Sequence, residues 1–456
     1  MLLETGMAFV RSHPLSCLKP FLWVMQGKCT LKEKLAQSTE IDVSLLPYNT
    51  AVLDLLKLEK LAGRHIILAT ATHHSIAQRI ADHLELFDEV LASDAKTNLS
   101  GHRKRDLLVT LYGKEGYDYL GNSSDDLIVW ESARHAYIVD PDRGVERRAS
   151  KLQKTALVIN TPRAPVRDWL KALRLHQWMK NLLIFVPLLA AHKIGDISLL
   201  VKAGIAFVLF GICASSVYLL NDLLDLADDR HHKTKRNRPF AAGRLGLLAG
   251  ILVFPVLLII AFGGAFLLLS PAFVGALLAY YALTLAYSFS LKRKMAVDVI
   301  ALALLYTMRI IAGATALALT LTFWMLAFSM FMFLSLALVK RYAELRDARK
   351  KGHKEKTRGR GYYPDDLEMI SSLGAAAGYL SVMVLALYIH DNVTVELYQH
   401  PQIIWMACPL LLFWITRIWV LTHRGEMHED PVVFAIKDRT SLIVGALFCL
   451  VFWIAA

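Results

Sequence analysis

The sequence has few residues of the kinds that build disulfide frameworks, zinc sites or secretory leaders. Its five cysteines are scattered and include no CxxC pair, so we expect neither a disulfide framework nor a zinc site. The first ten residues, MLLETGMAFV, have no basic residue ahead of the apolar ones and include Glu4, which is not typical of a signal peptide. No internal repeat is evident.

Apolar residues are abundant but unevenly distributed. Hydrophobic residues make up 55% of the chain and the mean hydropathy is +0.42. Residues 1–170 have ordinary charge, whereas the chain from about Leu182 onward consists of apolar runs separated by short polar loops. Each run approaches the roughly 20 residues that a membrane-spanning helix needs. The pattern predicts nine spans, at about 181–195, 199–220, 245–269, 272–289, 296–318, 321–339, 371–390, 403–421 and 440–456.

The basic residues indicate how these spans are oriented. A net charge of +12 would fit a nucleic-acid partner in a soluble protein, but here the bases cluster between apolar runs, so we expect no nucleic acid. One set of alternate loops holds nearly all of them, and in the other set Lys193 is the only Lys or Arg. The positive-inside rule places the basic loops, and with them the N-terminal part, in the cytoplasm.

One of these basic loops also contains an unusual group of acids. Residues 221–244 read NDLLDLADDRHHKTKRNRPFAAGR. If the preceding helix continues, Asn221, Asp225 and Asp229 recur every four residues and Asp222 joins them on the same side. Carboxylates gathered on one face repel each other, whereas Mg²⁺ prefers oxygen ligands and often joins protein carboxylates to substrate phosphates. The spacing therefore predicts a magnesium site at the mouth of the bundle.

The bases that follow the acids favour a phosphate-bearing substrate. Arg236, Arg238 and Arg244 lie within one loop of the predicted metal site, where guanidinium groups could hold phosphate oxygens. Acids for a metal and bases for phosphate together indicate the departure of a diphosphate, with positive charge developing on the carbon that it leaves.

The same stretch closely resembles the first aspartate-rich motif of the UbiA superfamily of intramembrane prenyltransferases. The resemblance includes the following RP-x-x-x-G, at Arg238, Pro239 and Gly243, and extends over about 171–456. It implies an all-α bundle of nine transmembrane helices and a Mg²⁺-dependent transferase acting on a polyprenyl lipid.

Three further segments resemble one branch, the decaprenyl-phosphate phosphoribosyltransferases: LRLHQWMKN at 173–181, YSFSLKRKMAVDVIALALLYTMRIIAGA at 287–314 and KRYAEL at 340–345. That branch implies phosphoribosyl diphosphate as donor and a polyprenyl phosphate as acceptor. The D-x-x-x-D of aromatic prenyltransferases is absent, since Leu302 stands four residues after Asp298. The resemblance implies Asp298 beside the acidic motif as a catalytic residue, and phosphate contacts at Lys180, Arg238, Tyr287, Lys292, Lys340 and Arg341.

The N-terminal part alternates predicted strands and helices. RHIILATA at 64–71 is typical of a buried strand, an amphipathic helix follows, and DEVLAS and AYIVD are further strands, which predicts a doubly wound α/β domain. The order resembles haloacid dehalogenase-like phosphatases. The resemblance implies that Thr70, Lys104, Asn122 and Asp126 stand at the positions of their second, third and fourth motifs.

The first motif of those phosphatases, D-x-D-x-T/V, has no counterpart upstream of Thr70. Either the chain begins at an internal Met and lacks the nucleophile strand, or the domain is a degenerate module. In both cases we expect no aspartyl-phosphate chemistry from this chain. The predicted organisation is a phosphatase-type domain at 1–150, a linker at 151–170 and the transmembrane transferase at 171–456.

Several alternatives stay open. The chain could transfer a prenyl group from a polyprenyl diphosphate to an aromatic or other small acceptor, or be a non-enzymatic transporter, although transporters usually bury charge at the midplane. A CDP-alcohol phosphatidyltransferase would need D-G-x-x-A-R, which is absent. Lys292, Lys340 and Arg341 could be helix-end anchors, and for Arg309 an internal ion pair is favoured over a substrate contact. The stretch KKGHKEKTRGRG is either a solvated loop or a cover over the active site.

Overall fold

Alternating strands and helices occupy the first third of the chain, and long apolar helices occupy the rest. The computed structural model describes residues 1–161, 166–352, 361–389, 398–427 and 430–456. The basic loop predicted either to be solvated or to cover the active site falls mostly at 353–360, outside these residues.

The chain divides into two compact units, each made of two separate stretches of sequence. The first unit contains Met1–Ala172 and Leu220–Ile251, and the second contains Leu173–Leu219 and Leu252–Ala456. The acidic loop therefore groups with the N-terminal residues, which the sequence pattern did not predict.

The N-terminal strands pair in parallel, as predicted for an α/β domain. They form a sheet of two strands and a sheet of three, with the orders β1-β2 and β3-β4-β5. Parallel strands need covered faces, and the second sheet packs around the fully buried Trp130. The strands are β1 Ile67–His73, β2 Glu89–Ser93, β3 Tyr119–Gly121, β4 Ala136–Val139 and β5 Thr155–Ile159.

One strand lies in the segment that we predicted to be the linker. β5 falls inside 151–170, and a helix begins there at Val166. Its five residues, TALVI, are β-branched or apolar, but the basic residues before it obscured the pattern. The helices of this part are α1 Leu2–Ser12, α2 Lys19–Met25, α3 Lys28–Ser38, α4 Thr50–Leu61, α5 His74–Leu84, α6 His102–Tyr112, α7 Leu127–Ser132, α8 Val145–Ser150 and α9 Val166–Ala172.

The remaining helices include the membrane spans. Within the described residues, seven are long and apolar enough to cross a bilayer, or eight if the bent pair α19 and α20, which meet at 83°, forms one span. The helices are α10 Val186–Ala190, α11 Ile197–Leu224, α12 Leu226–His231, α13 Leu247–Leu268, α14 Pro271–Phe289, α15 Val297–Leu317, α16 Phe323–Lys350, α17 Leu367–Tyr388, α18 Ala407–Arg424, α19 Pro431–Lys437 and α20 Arg439–Ala455.

The predicted count of nine spans is not confirmed, because the run at 181–195 does not form one long helix. Residues Leu175–Phe185 instead form a 3₁₀ segment followed by the five-residue α10. The segment packs closely on α15, where a side chain at Gly313 would collide with the backbone of Ile184. This close approach brings the predicted phosphate ligand Lys180 next to α15.

Candidate functional site

The predicted metal-binding acids lie where α11 ends and α12 begins. The helix breaks at Asp225, but the backbone amides of Asp225 and Asp229 still donate to the carbonyls four residues earlier, each at 2.8 Å. The helical spacing assumed from the sequence therefore persists through the break. Asp222 and Asp229 are almost completely buried, whereas Asn221 and Asp225 are half-buried.

Two of these carboxylates converge on one positive charge. Arg238 Nη1 donates to Asp222 Oδ1 at 3.2 Å and to Asp229 Oδ2 at 2.6 Å. Burial raises the pKa of Asp229 to about 6, although the charge of Arg238 acts in the opposite direction. Arg238, which we predicted to be a phosphate ligand, thus neutralises the acids in this state.

The third acid is paired with the N-terminal helix. Arg11 Nη1 lies 2.8 Å from Asp225 Oδ1, and its Nη2 lies 3.3 Å from Asp228 Oδ2. Nearby, Glu4 of the same helix forms an ion pair with Arg230. No group of three or more His, Cys, Asp or Glu side chains among the described residues is arranged to hold a metal. Basic side chains therefore form ion pairs with these acids in the structure.

The donor set nevertheless fits a divalent cation. Asp222 and Asp229 offer carboxylate oxygens to a single point, the position that Arg238 Nη1 now takes. Oxygen ligands of this kind are those that Mg²⁺ prefers. For Asp225 to bind the cation as well, its ion pair with Arg11 would have to break.

The other two predicted arginines of the loop are placed differently. Arg244 donates from Nε to Asp168 at 3.2 Å and from Nη2 to the Asn237 carbonyl at 2.6 Å. Arg236 is exposed. Arg244, although also exposed, thus braces the loop.

In the second unit, two predicted phosphate ligands converge on an acid that sequence reasoning missed. Asp430 Oδ2 lies 2.7 Å from Lys180 Nζ and 3.4 Å from Lys340 Nζ. Tyr306 donates its hydroxyl to both carboxylate oxygens, at 2.8 and 3.0 Å. We refer to these four residues as the Asp430 cluster. The one sequence signal for it was Asp430-Pro431 ahead of an apolar run, which is a typical helix start.

Arg309 lies beside this cluster and differs from expectation. We favoured an internal ion pair for it, but its hydrogen-bond partners among the described residues are neutral. Its Nε donates to Asn181 at 3.0 Å. Its guanidinium carbon stands between 5.2 and 5.5 Å from the ring centres of Phe210, Tyr280 and Tyr306. Ring faces and an amide therefore stabilise this buried charge.

The predicted catalytic Asp298 is enclosed in a separate buried pair. Its carboxylate is 0% exposed, lies 2.8 Å from Arg341 Nη2, and accepts from the Tyr362 hydroxyl at 2.6 Å. Arg341, predicted to contact phosphate, is itself fully buried and also pairs with Glu344. Both residues hold helices α15 and α16 together in this state. Tyr287 and Lys292, the other predicted ligands, are half-buried.

The α/β domain brings together most of the residues that its resemblance singled out. Lys104 donates to the Tyr119 hydroxyl at 2.7 Å, and Tyr119 donates to Asp126 at 2.9 Å. Asp126 also accepts from the backbone amides of Asn122 and Ser123, at 3.0 and 2.9 Å. Burial lowers the pKa of Lys104, although the charge of Asp126 opposes this.

Thr70 lines a cavity of about 240 Å³, together with Thr72, His73 and Lys32. Lys32 donates to the Ala71 carbonyl and, at 2.5 Å, to Asn98. Burial lowers the pKa of Lys32. Hydroxyl groups and an ammonium at the carboxyl end of a parallel strand suit an anionic ligand.

Comparison with known proteins identifies the membrane part. The sequence profile of the UbiA prenyltransferase family matches residues 182–437, more than half of the chain. The chain belongs to the UbiA prenyltransferase family. It is therefore an integral membrane protein, and its membership supports a transferase.

Several relatives of this UbiA protein are informative. The uncharacterized protein y4nM of Sinorhizobium fredii is 40% identical over 94% of this chain and 83% of its own length. The nodulation protein NoeC of Azorhizobium caulinodans is 37% identical over 63% of this chain and 94% of its own. The decaprenyl-phosphate phosphoribosyltransferase of Mycobacterium tuberculosis is 31% identical over 62% and 92%. A solved UbiA homologue of Archaeoglobus fulgidus, bound to GPP and Mg²⁺, overlays with a TM-score of 0.47, 16% identity and coverage of 63% and 100%.

Proposed function

We propose that the membrane domain transfers 5-phosphoribose from phosphoribosyl diphosphate to a polyprenyl phosphate at the cytoplasmic face. The observation that carries this proposal is the convergence of Asp222 and Asp229 on one positive charge. The similarity to phosphoribosyltransferases of the same family supports the choice of donor.

Asp222, Asp225 and Asp229, with Asn221, would hold Mg²⁺, which when bound neutralises a departing diphosphate. Arg238 would turn from the acids to the donor's phosphates, joined by the exposed Arg236. A phosphate oxygen of the lipid attacks C1 of the ribose, the bond from C1 to the diphosphate breaks, and the diphosphate leaves with both bonding electrons. No proton transfer is needed, because the attacking phosphate is already ionised at neutral pH.

The Asp430 cluster supplies a second place for phosphate. Lys180 and Lys340 each contact Asp430 Oδ2, so a phosphate that enters competes with that carboxylate for two ammonium groups. Asp430 also keeps the lysines compatible with a buried position before substrate arrives, since buried charges need partners. Its role would be to hold both lysines in place.

Product analysis tests the proposal. Purified protein in lipid nanodiscs is incubated with Mg²⁺ and polyprenyl phosphate, together with either phosphoribosyl diphosphate or a prenyl diphosphate and an aromatic acid. Lipid mass spectrometry should detect a phosphoribosyl lipid. Asp225→Asn should lower its formation by roughly 100-fold, the order seen when a charge-stabilising group is removed.

Asp228→Asn is the matched control, because Asp228 is a neighbouring acid outside the motif whose side chain is 61% exposed. It should retain most of the activity. A prenylated aromatic product would replace the donor and acceptor that we propose with the alternative ones. No product from either mixture, with a lipid or solute moved across the bilayer instead, would favour a transporter.

We also propose that the N-terminal domain is haloacid dehalogenase-like, on the arrangement of Lys104, Tyr119 and Asp126. The transferase product would carry a 5-phosphate, a suitable substrate for such a domain when its nucleophile strand is present. The sequence has no D-x-D upstream of Thr70, so this chain should leave that phosphate in place. Release of inorganic phosphate from the purified phosphoribosyl lipid by this chain would contradict the expected inactivity.

A further inference from the structure

A short helix near the N-terminus presents an apolar face outward. Leu18 and three residues of α2, Phe21, Leu22 and Met25, recur at the i, i+3, i+4 and i+7 spacing that places side chains on one side of a helix. In a soluble domain such a face packs on the core. Here each of the four side chains is between 59% and 86% exposed.

The opposite side of α2 is packed against the rest of the domain through Trp23. Trp23 meets Phe9 of α1 edge-on with ring centres 5.0 Å apart, and it adjoins the buried Leu31 and Leu35 of α3. The ammonium of Lys34 lies 5.6 Å from the Trp23 ring centre. The tryptophan therefore fixes which side of α2 faces outward.

The charged residues close to this helix in the sequence are basic. Residues 5–32 contain no Asp or Glu. Lys19 and Lys28 at the two ends of the helix are exposed. An apolar face bordered by lysines is the pattern of helices that lie in the interface of a bilayer containing anionic lipids.

We propose that Leu18, Phe21, Leu22 and Met25 insert into the surface of an anionic bilayer, with Lys19 and Lys28 at the headgroups. The chain carries seven or more apolar spans, so the protein is embedded in a bilayer. The contact would keep the α/β domain at the membrane surface, where a lipid-borne substrate is found. The inference does not depend on which donor the transferase uses.

Site-directed spin labelling tests the insertion in the full-length protein. Met25→Cys is labelled with a nitroxide in a background where Cys17, Cys29 and Cys449 are replaced by Ser, and the protein is placed in nanodiscs containing phosphatidylglycerol. Leu61→Cys is the matched control, because Leu61 is 85% exposed but ends α4, a helix that carries Asp54 and Glu59. Collision rates are measured with oxygen, which partitions into lipid, and with a water-soluble nickel complex.

The label at position 25 should collide more with oxygen and less with nickel than the label at position 61. Combining Lys19→Glu with Lys28→Glu should shift position 25 toward the values of position 61. Equal nickel collision rates at the two positions would overturn the proposal. Spin–spin broadening at position 25 that disappears on dilution with unlabelled protein would also overturn it, since a second copy would then cover the face.

Discussion

Replacing Asp298 separates a structural from a catalytic role for this acid. Asp298 is completely buried, lies 2.8 Å from Arg341, and accepts from Tyr362 at 2.6 Å. Asp298→Asn removes the charge and leaves Arg341, whose side chain is 1% exposed, with Glu344 as its acidic partner. Breaking a buried ion pair by removing one partner costs roughly 3–5 kcal/mol. Because Glu344 still balances part of the charge, we expect about 3 kcal/mol.

The assay is thermal unfolding in detergent, followed by the activity of the folded fraction. A loss of about 3 kcal/mol corresponds to a fall of roughly 3–6 °C in the apparent Tm of a chain of this length, because the entropy of unfolding grows with length. Asp298→Leu combined with Arg341→Met should recover most of that loss, because two apolar side chains of similar volume can replace a buried pair. If Asp298→Asn unfolds at the wild-type temperature yet has no activity, Asp298 is a catalytic residue and the reasoning is refuted.

Three further predictions follow from the other charged groups. Arg11→Ala removes the contact to Asp225 and should lower the Mg²⁺ concentration that gives half-maximal thermal stabilisation. Arg11→Lys should leave that concentration unchanged. The same concentration in wild type and both variants would contradict the pairing. Arg309→Lys should lower the Tm, because an ammonium cannot stack on three rings as a guanidinium does; a Tm equal to that of wild type would remove the case for this contact. Burial alone would raise the pKa of Asp118, but bonds from Arg134, Arg64 and His135 hold it well below its usual range, so stability from this carboxylate should be present at neutral pH and lost as pH falls below about 4. Asp118→Asn should flatten the pH dependence of the α/β domain's unfolding, and an unchanged pH profile would oppose this assignment.

Local patterns predicted the elements well. Continuous runs of apolar residues located β1, β2 and most of the long apolar helices, because such runs depend only on residues close together in the chain. The strand β5 was missed because TALVI is short and follows a basic stretch. The run at 181–195 failed as a span because it begins as a 3₁₀ segment packed on Gly313.

The side-chain partners were much harder to predict. Lys180 and Asp430 are 250 residues apart in the chain. Arg11 and Asp225, which form an ion pair, are also far apart in the sequence. No periodicity carries such information. The acidic motif itself was predictable, since its spacing is local, but its neutralisation by Arg238 and Arg11 followed only from the fold.

Cation binding at the acidic motif is the most direct test of the account. Mn²⁺, which takes similar oxygen ligands and is paramagnetic, is titrated into the full-length protein with phosphoribosyl diphosphate present, and free Mn²⁺ is measured by electron paramagnetic resonance. We expect one tight site that is lost in Asp222→Asn and in Asp229→Asn but retained in Asp228→Asn. Equal Mn²⁺ binding in all four proteins would show that these acids do not hold the cation, and would contradict the proposed mechanism.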